Sequence, residues 1–292
     1  MNDINILVVT HKKFDDALVP NGYSVIKVGN VLSDEEASQL GYLCDDTGDN
    51  IAMENPYYCE LTAQYWAWKN MPDTIKYTGI CHYRRYFFGY SGKSKSYEDD
   101  ILTADQIRTI LGKYKVIMAY PTVKYPGYGK LYPNRPDEKQ DKHWVIINKI
   151  IKSDYPELYE SFKKVMYGRF TIWGNMLITS KDIFDEYSSW VFEVLKKYDN
   201  EISLRGEERI PRVDGFISEY LLLVWFYNKF TQKEIYRLEV RNTETDGFYE
   251  YQHDNLKAKL IRFIRKHHSL LTAVRYIRIL GLLVIRREKN HE

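Results

Sequence analysis

Residues Ile4–Thr10 (INILVVT) are mostly β-branched and almost continuously apolar. A strand with one wet face alternates apolar and polar residues. A nearly unbroken apolar run needs cover on both faces, which is the pattern of a strand inside a parallel sheet flanked by helices. That demand sets the expectation for the rest of the chain. Short β-rich runs follow at residues 23–28, 77–81, 115–120, 175–179 and 235–240. Helical patterns lie between them at residues 34–43, 56–69, 104–111, 143–151, 156–165 and 181–198, and residues 212–227 read as a turn followed by an apolar helix. Ser33 caps the first of these, and Leu61, Tyr65 and Trp68 keep helical spacing in the second. The alternation predicts an α/β fold with a mainly parallel central sheet and helices on both faces. No internal repeat or low-complexity segment interrupts it.

In open α/β sheets, ligands bind just beyond the carboxyl ends of the strands. His11 and Lys12 stand directly after the first strand. His82-Tyr83-Arg84-Arg85-Tyr86-Phe87 stands directly after the run at 77–81. The planar fork of arginine matches phosphate oxygens. Neighbours on a strand face opposite ways, so Arg84 and Arg85 are expected to part, one toward a phosphate and the other toward an internal acid. A purely structural arginine–carboxylate network is the alternative.

The loop at residues 45–50 contains Asp45, Asp46, Asp49 and Asn50. Its oxygens suit Mg²⁺ or Mn²⁺. It follows a helix, however, where a turn or cap explains the same residues, and Asp49 and Asn50 also suit hydrogen bonds to a ribose or base. Glu219 is expected just before an apolar helix. There it is either a base whose pKa burial raises, or an acid favoured by the helix dipole. Asp214 is its neighbour and competitor. Residues 121–142, rich in Pro, Gly, Tyr and Lys, read as a lid or as a mobile insertion. No GxGxxG or Walker loop is present, and His143 has no partner at metal-ligand spacing.

Composition narrows the function classes. Twenty-six tyrosines suit sugar and nucleoside contacts, and equally suit half-buried surface. The net charge of +2 is uneven, because residues 256–292 hold ten Lys/Arg against two Asp/Glu. The remaining body is therefore acidic, which argues against a nucleic-acid-binding core. The basic stretch places Leu260, Ile264, Leu271 and Val274 among Lys257, Arg262, Arg265 and Arg275, a pattern for a helix in an anionic membrane interface. A helix packed on the body with a wet basic face is the alternative. Three cysteines without CxxC spacing fit a reducing cytoplasm. The expected layout is a domain at 1–255 and a basic amphipathic helical tail at 256–292.

Several stretches carry a family resemblance: Thr10-His11-Lys12, Gly48-Asp49-Asn50-Ile51 with Asn55, Tyr58-Cys59-Glu60-Leu61-Thr62, Tyr65-Trp66-Ala67-Trp68-Lys69-Asn70, Gly79-Ile80-Cys81-His82-Tyr83-Arg84-Arg85-Tyr86-Phe87, Asn175-Met176 and Gly215-Phe216-Ile217-Ser218-Glu219. On these the chain resembles the bacterial capsular and exopolysaccharide glycosyltransferases long filed as an uncharacterised domain, including galactofuranosyltransferase-like members. The resemblance implies a single-domain nucleotide-sugar transferase fold (GT-A-like). It implies a UDP-sugar donor, galactofuranose first among them, and a lipid-linked glycan acceptor for capsule, exopolysaccharide or O-antigen synthesis. His11, Lys12, Asp49, Asn50, His82, Arg84, Arg85 and Asn175 are then the donor-binding candidates. Glu219, or failing it Asp214, takes the acceptor proton, with inversion at the anomeric carbon.

The family carries His-Tyr-Arg-Arg where many relatives of that fold carry a metal-binding DxD, so dependence on Mn²⁺ or Mg²⁺ stays open. Ser218 and Tyr220 stand where the family commonly has Ala and Arg. The expected location is the cytoplasm, at the inner face of the bacterial cell membrane. Two rivals stand beside the enzyme: a non-catalytic carbohydrate- or nucleotide-binding assembly protein, and a peripheral membrane scaffold.

Overall fold

The computed structural model describes residues 3–89, 101–123, 142–168 and 170–244. All belong to the first of two units, Met1–Asp246; the second begins at Gly247 and lies outside the described residues, as does the expected basic tail. Most of the expected lid, residues 124–141, also lies outside them.

Strand β1 (Ile4–Thr10) is buried as its sequence demands, with Ile4, Ile6, Leu7 and Val8 wholly inaccessible. It pairs in parallel with β2 (Tyr23–Lys27) on one side. On the other side it pairs in parallel with β4 (Tyr77–His82). The two-residue β3 (Leu43–Cys44) adds in parallel to β2. Beyond β4 the sheet changes character. β9 (Leu177–Ser180) lies antiparallel to both β4 and β6 (Val116–Ala119). β10 (Ile235–Asn242) runs parallel to β6. β5 (Arg85–Phe88) folds back from β4 and pairs antiparallel with the end of β10. The pairings β4–β5–β10–β6–β9–β4 thus close into a ring of five strands.

The α/β expectation holds, but the mainly parallel sheet is corrected to a mixed one. Parallel neighbours need a crossover of a dozen or more residues. Only Tyr83 and Arg84 separate β4 from β5, which permits a hairpin and nothing else. The β4–β9 pairing also depends on Gly79. A Cβ there would lie 2.2 Å from the Leu177 carbonyl oxygen and 2.7 Å from Ile178 Cα, so any side chain would force the strands apart. β7 (Thr122–Val123) and β8 (Phe170–Thr171) form a separate two-stranded sheet.

The helices follow the expected order with informative departures. α1 (Asp34–Gln39) opens on a capping box between Ser33 and Glu36 and stops short of residue 43, where Gly41 takes a φ of +71°. The helix expected over 56–69 is two: α2 (Asn55–Tyr58) and α3 (Leu61–Asn70), separated at Cys59, whose φ is +53°. α4 (Ala104–Leu111) is capped by Thr103 and Gln106. α5 (Lys142–Asp154), α6 (Tyr159–Tyr167) and α7 (Lys181–Leu204) pack on one another and on α8 (Val213–Lys229). α8 is apolar nearly all round and buried nearly all round, the expected fate of such a helix. Tyr187 of α7 meets Trp225 and Phe226 of α8 at ring-centroid distances of 5.5 and 5.4 Å. Among the described residues, no helix is long and apolar enough to cross a membrane.

Candidate active site

Strand direction gathers the polar residues. The two reversals through β9 leave β6 and β10 pointing the same way as β1, β2, β3 and β4. All six end at one edge of the sheet, and β9 begins there. His11, Lys12, the 45–50 loop, Tyr83, Arg84 and Glu244 therefore share that edge with Gly174 and Asn175.

The outer part of the edge is cationic. Lys12 Nζ lies 3.2 Å from Glu244 Oε1, and Arg84 lies 3.0 Å from Glu244 Oε2. Both cations flank the Tyr83 ring, at 4.9 Å and 5.4 Å from its centroid. The backbone of Lys12 is fixed by Thr10, whose hydroxyl accepts the Lys12 N–H at 3.2 Å and donates to the Lys12 carbonyl at 2.6 Å. His11 meets the Tyr83 ring edge-on at 5.5 Å. Burial, then the charges of Lys12 and Arg84, hold its pKa below the usual histidine value, with Glu244 opposing. Two cations and one carboxylate leave a positive balance beside a neutral imidazole, an arrangement suited to an anion.

The expectation that Arg84 and Arg85 alternate along one strand is corrected. Tyr83 and Arg84 form the turn between β4 and β5, and only Arg85 is in a strand. The two arginines still part, for a different reason. Arg84 goes to Glu244, whereas Arg85 faces His82 across the hairpin, and its charge is felt at Glu219.

Glu219 anchors the inner part. α8 begins at Val213, so Glu219 sits in the second turn of that helix and not ahead of it, which removes the helix-start explanation for this acid. It is 7% exposed. The Gly174 N–H donates to its Oε1 at 2.5 Å, and its Oε2 is buried without a hydrogen-bond partner among the described residues. Burial, reinforced by the nearby Glu60, pushes the carboxyl up to about 8; the Gly174 N–H, Arg85 and Arg212 pull the other way. Asn175, at a φ of +51°, donates to Glu60 Oε1 at 2.9 Å and to the Gly215 carbonyl at 3.0 Å. Its Oδ1 accepts from the Ser218 hydroxyl at 2.9 Å. The amide of Asn175 thus fixes the loop to α8 and to the α2–α3 break. His82 Nε2 lies 2.7 Å from the Gly174 carbonyl oxygen.

Asp214 belongs to a different cluster. It is wholly buried and 2.9 Å from Arg209. Arg209 also meets Glu54 at 2.5 Å and Asp199 at 3.1 Å, and lies over the Tyr57 ring at 3.9 Å. Burial, then the charge of Asp199, raises the Asp214 carboxyl to about 7 against the pull of Arg209. This places the competitor for the role of base in an ionic knot of the framework.

Asp49 and Asn50 lie in a hydrogen-bonded turn. The Asp49 N–H donates to Asn70 Oδ1 at 3.0 Å, and Asn70 Nδ2 returns to the Asp49 carbonyl at 2.8 Å. Asn50 Nδ2 donates to the carbonyls of Asp46 and Gly48 at 3.1 and 3.0 Å. Among the described residues, Asp34, Cys44 and Asp46 bring potential metal-binding atoms together. The Lys27 ammonium contacts Asp34 and lies 3.6 Å from Asp46, supplying the positive charge a divalent ion would bring; the group does not fit a metal site.

Sequence reasoning gave no role to Glu60, Gly174, Arg212 or Glu244. Glu60 is brought in by the break at Cys59, which no residue type announces. Glu244 follows the last strand, where nothing marks it as the partner of residues 12 and 84. Gly174-Asn175 did carry a signal, since such a pair marks a turn with positive φ.

Residues 5–231 match the model of a family described as a domain of unknown function (DUF4422). The chain belongs to that family. No curated protein matches this DUF4422 chain. A solved structure, described as the WbbM bifunctional glycosyltransferase in its apo form, is similar with a TM-score of 0.67 at 24% sequence identity, over 82% of this chain and 45% of that one. The DUF4422 chain thus spans less than half the length of WbbM. At this identity the likeness is one of fold, and it agrees with the mixed α/β architecture described above.

Proposed function

We propose that the protein is a glycosyltransferase that moves a sugar from a nucleoside-diphosphate donor to a glycan acceptor in polysaccharide synthesis. The observation that carries this reading is the convergence of Lys12 and Arg84 on one shared carboxylate at the edge of the sheet where the carboxyl ends of six strands lie. Transfer from such a donor leaves a diphosphate, and preorganised cations stabilise it as it departs. The donor diphosphate takes the place of Glu244 between Lys12 and Arg84, and His11 borders it as a neutral hydrogen-bonding group. Glu219, once ionised, accepts the proton of the acceptor hydroxyl; burial makes it a stronger base than an ordinary carboxylate. Direct displacement inverts the anomeric carbon. The fold shared with the WbbM bifunctional glycosyltransferase supports the class of reaction.

UDP-galactofuranose is the first donor to try, and a lipid-linked oligosaccharide the first acceptor. The basic residues of 256–292 would hold the enzyme on the anionic inner face of the membrane. The test is a panel of UDP-sugars with and without Mn²⁺, offered to the purified full chain together with lipid-linked and soluble acceptors. Transfer that Arg84→Ala abolishes is the expected result. Thermal stabilisation by UDP with no turnover on any acceptor would replace the enzyme by a nucleotide-binding assembly protein. Removing residues 256–292 should weaken binding to anionic vesicles while leaving transfer to a soluble acceptor intact. Loss of both would make the tail the functional centre.

A further inference from the structure

We propose that His82 is a positioning residue that holds Glu219 in place through Gly174, and not a ligand of the donor phosphates. The inference rests on the glycosyl-transfer reading above and refines one of its residues. A carbonyl oxygen can only accept, so the His82 nitrogen 2.7 Å from the Gly174 oxygen carries the hydrogen and donates it. That nitrogen is therefore engaged by the protein backbone. The same glycine donates its own N–H to Glu219 Oε1 at 2.5 Å. One residue is thus gripped on its oxygen by the central strand β4 and on its nitrogen by the buried helix α8.

The backbone explains why grips are needed. Gly174 has a φ of +86° and Asn175 a φ of +51°. Consecutive left-handed residues persist only where the surroundings hold them. Asn175 is held by Glu60, Gly215 and Ser218; Gly174 is held by His82 and Glu219. His82 is itself rigidly placed, in register with Val9 of β1 and Arg85 of β5. The packing is close enough that a Cβ on residue 174 would lie 3.3 Å from His82 Nε2.

The charged and titratable groups that interact with Glu219 are Glu60 from the α2–α3 break, Arg85 from β5, Arg212 from the start of α8 and the adjacent Tyr220, with His82 beyond the glycine. Among these influences the Gly174 N–H is the one hydrogen bond that favours the ionised carboxylate. Releasing the glycine removes it, and the carboxyl then ionises at higher pH.

The experiment compares His82→Gln with His82→Asn in the full chain. The Gln amide can donate from nearly the position of the imidazole Nε2, whereas the Asn amide is too short to reach it. Thermal melting confirms that both fold. With UDP-sugar as the varied substrate, H82N should lower kcat by about 10- to 100-fold, the order expected for a displaced catalytic group. Donor KM should stay within about two-fold, and the ascending limb of the kcat–pH profile should move to higher pH. H82Q should restore both. A raised donor KM with an unmoved pH profile in both variants would make His82 a phosphate ligand and overturn the proposal.

A carboxyl-carbon NMR titration of Glu219 reads the same point without turnover. Its midpoint should rise in H82N and not in H82Q; equal midpoints would reject the coupling. Failure of the wild-type chain to transfer sugar would instead sink the glycosyltransferase reading, leaving the NMR result to decide on His82.

Discussion

Arg84 lies 3.0 Å from Glu244, which also holds Lys12 at 3.2 Å, so one carboxylate lies between two cations, the position that the proposed function gives to the donor diphosphate. The side chains of Lys12, Arg84 and Glu244 are 44%, 37% and 42% exposed, so solvent and salt screen both ion pairs and each is weak. A donor with more negative charge can displace Glu244 at little cost. Glu244→Gln should therefore tighten nucleotide-sugar binding by about two- to five-fold at low salt, and by less at high salt. Calorimetry at two ionic strengths checks this; weaker binding would show that Glu244 organises the site instead of competing for it.

Lys12→Ala and Arg84→Ala should each reduce transfer by about 100-fold or more, the scale seen when a preorganised donor to developing charge is removed. Steady-state kinetics measures the loss. Full activity in both variants would remove this edge from the mechanism.

Glu219→Gln should keep donor binding and lose transfer, and it should change how stability depends on pH. The Glu219 carboxyl rises from 4.5 to about 8 on folding. Between those values the folded chain retains a proton that the unfolded chain has lost, so stability falls as pH rises through this window. Gln cannot ionise and escapes that loss. The variant should match the wild type near pH 5 and exceed it by on the order of a few kcal/mol above pH 8. Urea unfolding at the two pH values would reveal it; parallel curves would mean that Glu219 is not buried in its neutral form.

Asp214→Asn should leave transfer nearly intact, because Asp214 is bound into the Arg209 cluster. Arg209→Met should be far more damaging, by about 3–5 kcal/mol, since it strands Asp214 and its neighbouring carboxylates. Chemical denaturation measures the loss of stability. Loss of activity in a stable Asp214→Asn protein would return Asp214 to the catalytic machinery.

The parts of the fold that were legible were those written into contiguous residues. Ile4–Thr10 announced burial on both faces, and the structure covers both. His11 and Lys12 announced a strand end facing solvent, and they lie at the edge where six strands terminate. The β4–β5 hairpin was misread because aromatic and basic residues run straight through 82–87, while the turn takes only Tyr83 and Arg84. The single helix expected over 56–69 breaks at Cys59, whose φ is positive and whose carbonyl accepts from the side chains of Asn55 and Thr62, a bonding pattern that the apolar spacing does not announce. Partners distant in sequence were invisible for a different reason. Glu244 and Arg84, like Asp214 and Asp199, meet only after the sheet and helices have assembled.

Every described strand of the main sheet pairs with at least two others except β3, which pairs only with β2 and is two residues long. Unsatisfied strand borders recruit strands from other molecules, the first step of intermolecular β-stacking. Among the described residues, the returning β4–β9 contact leaves the outer side of β2 and β3 as the border of this sheet, and β3 covers only Ile26 and Lys27 of β2. Ordered association between the sheets of two molecules is accordingly expected to begin along this outer side of β2 and β3.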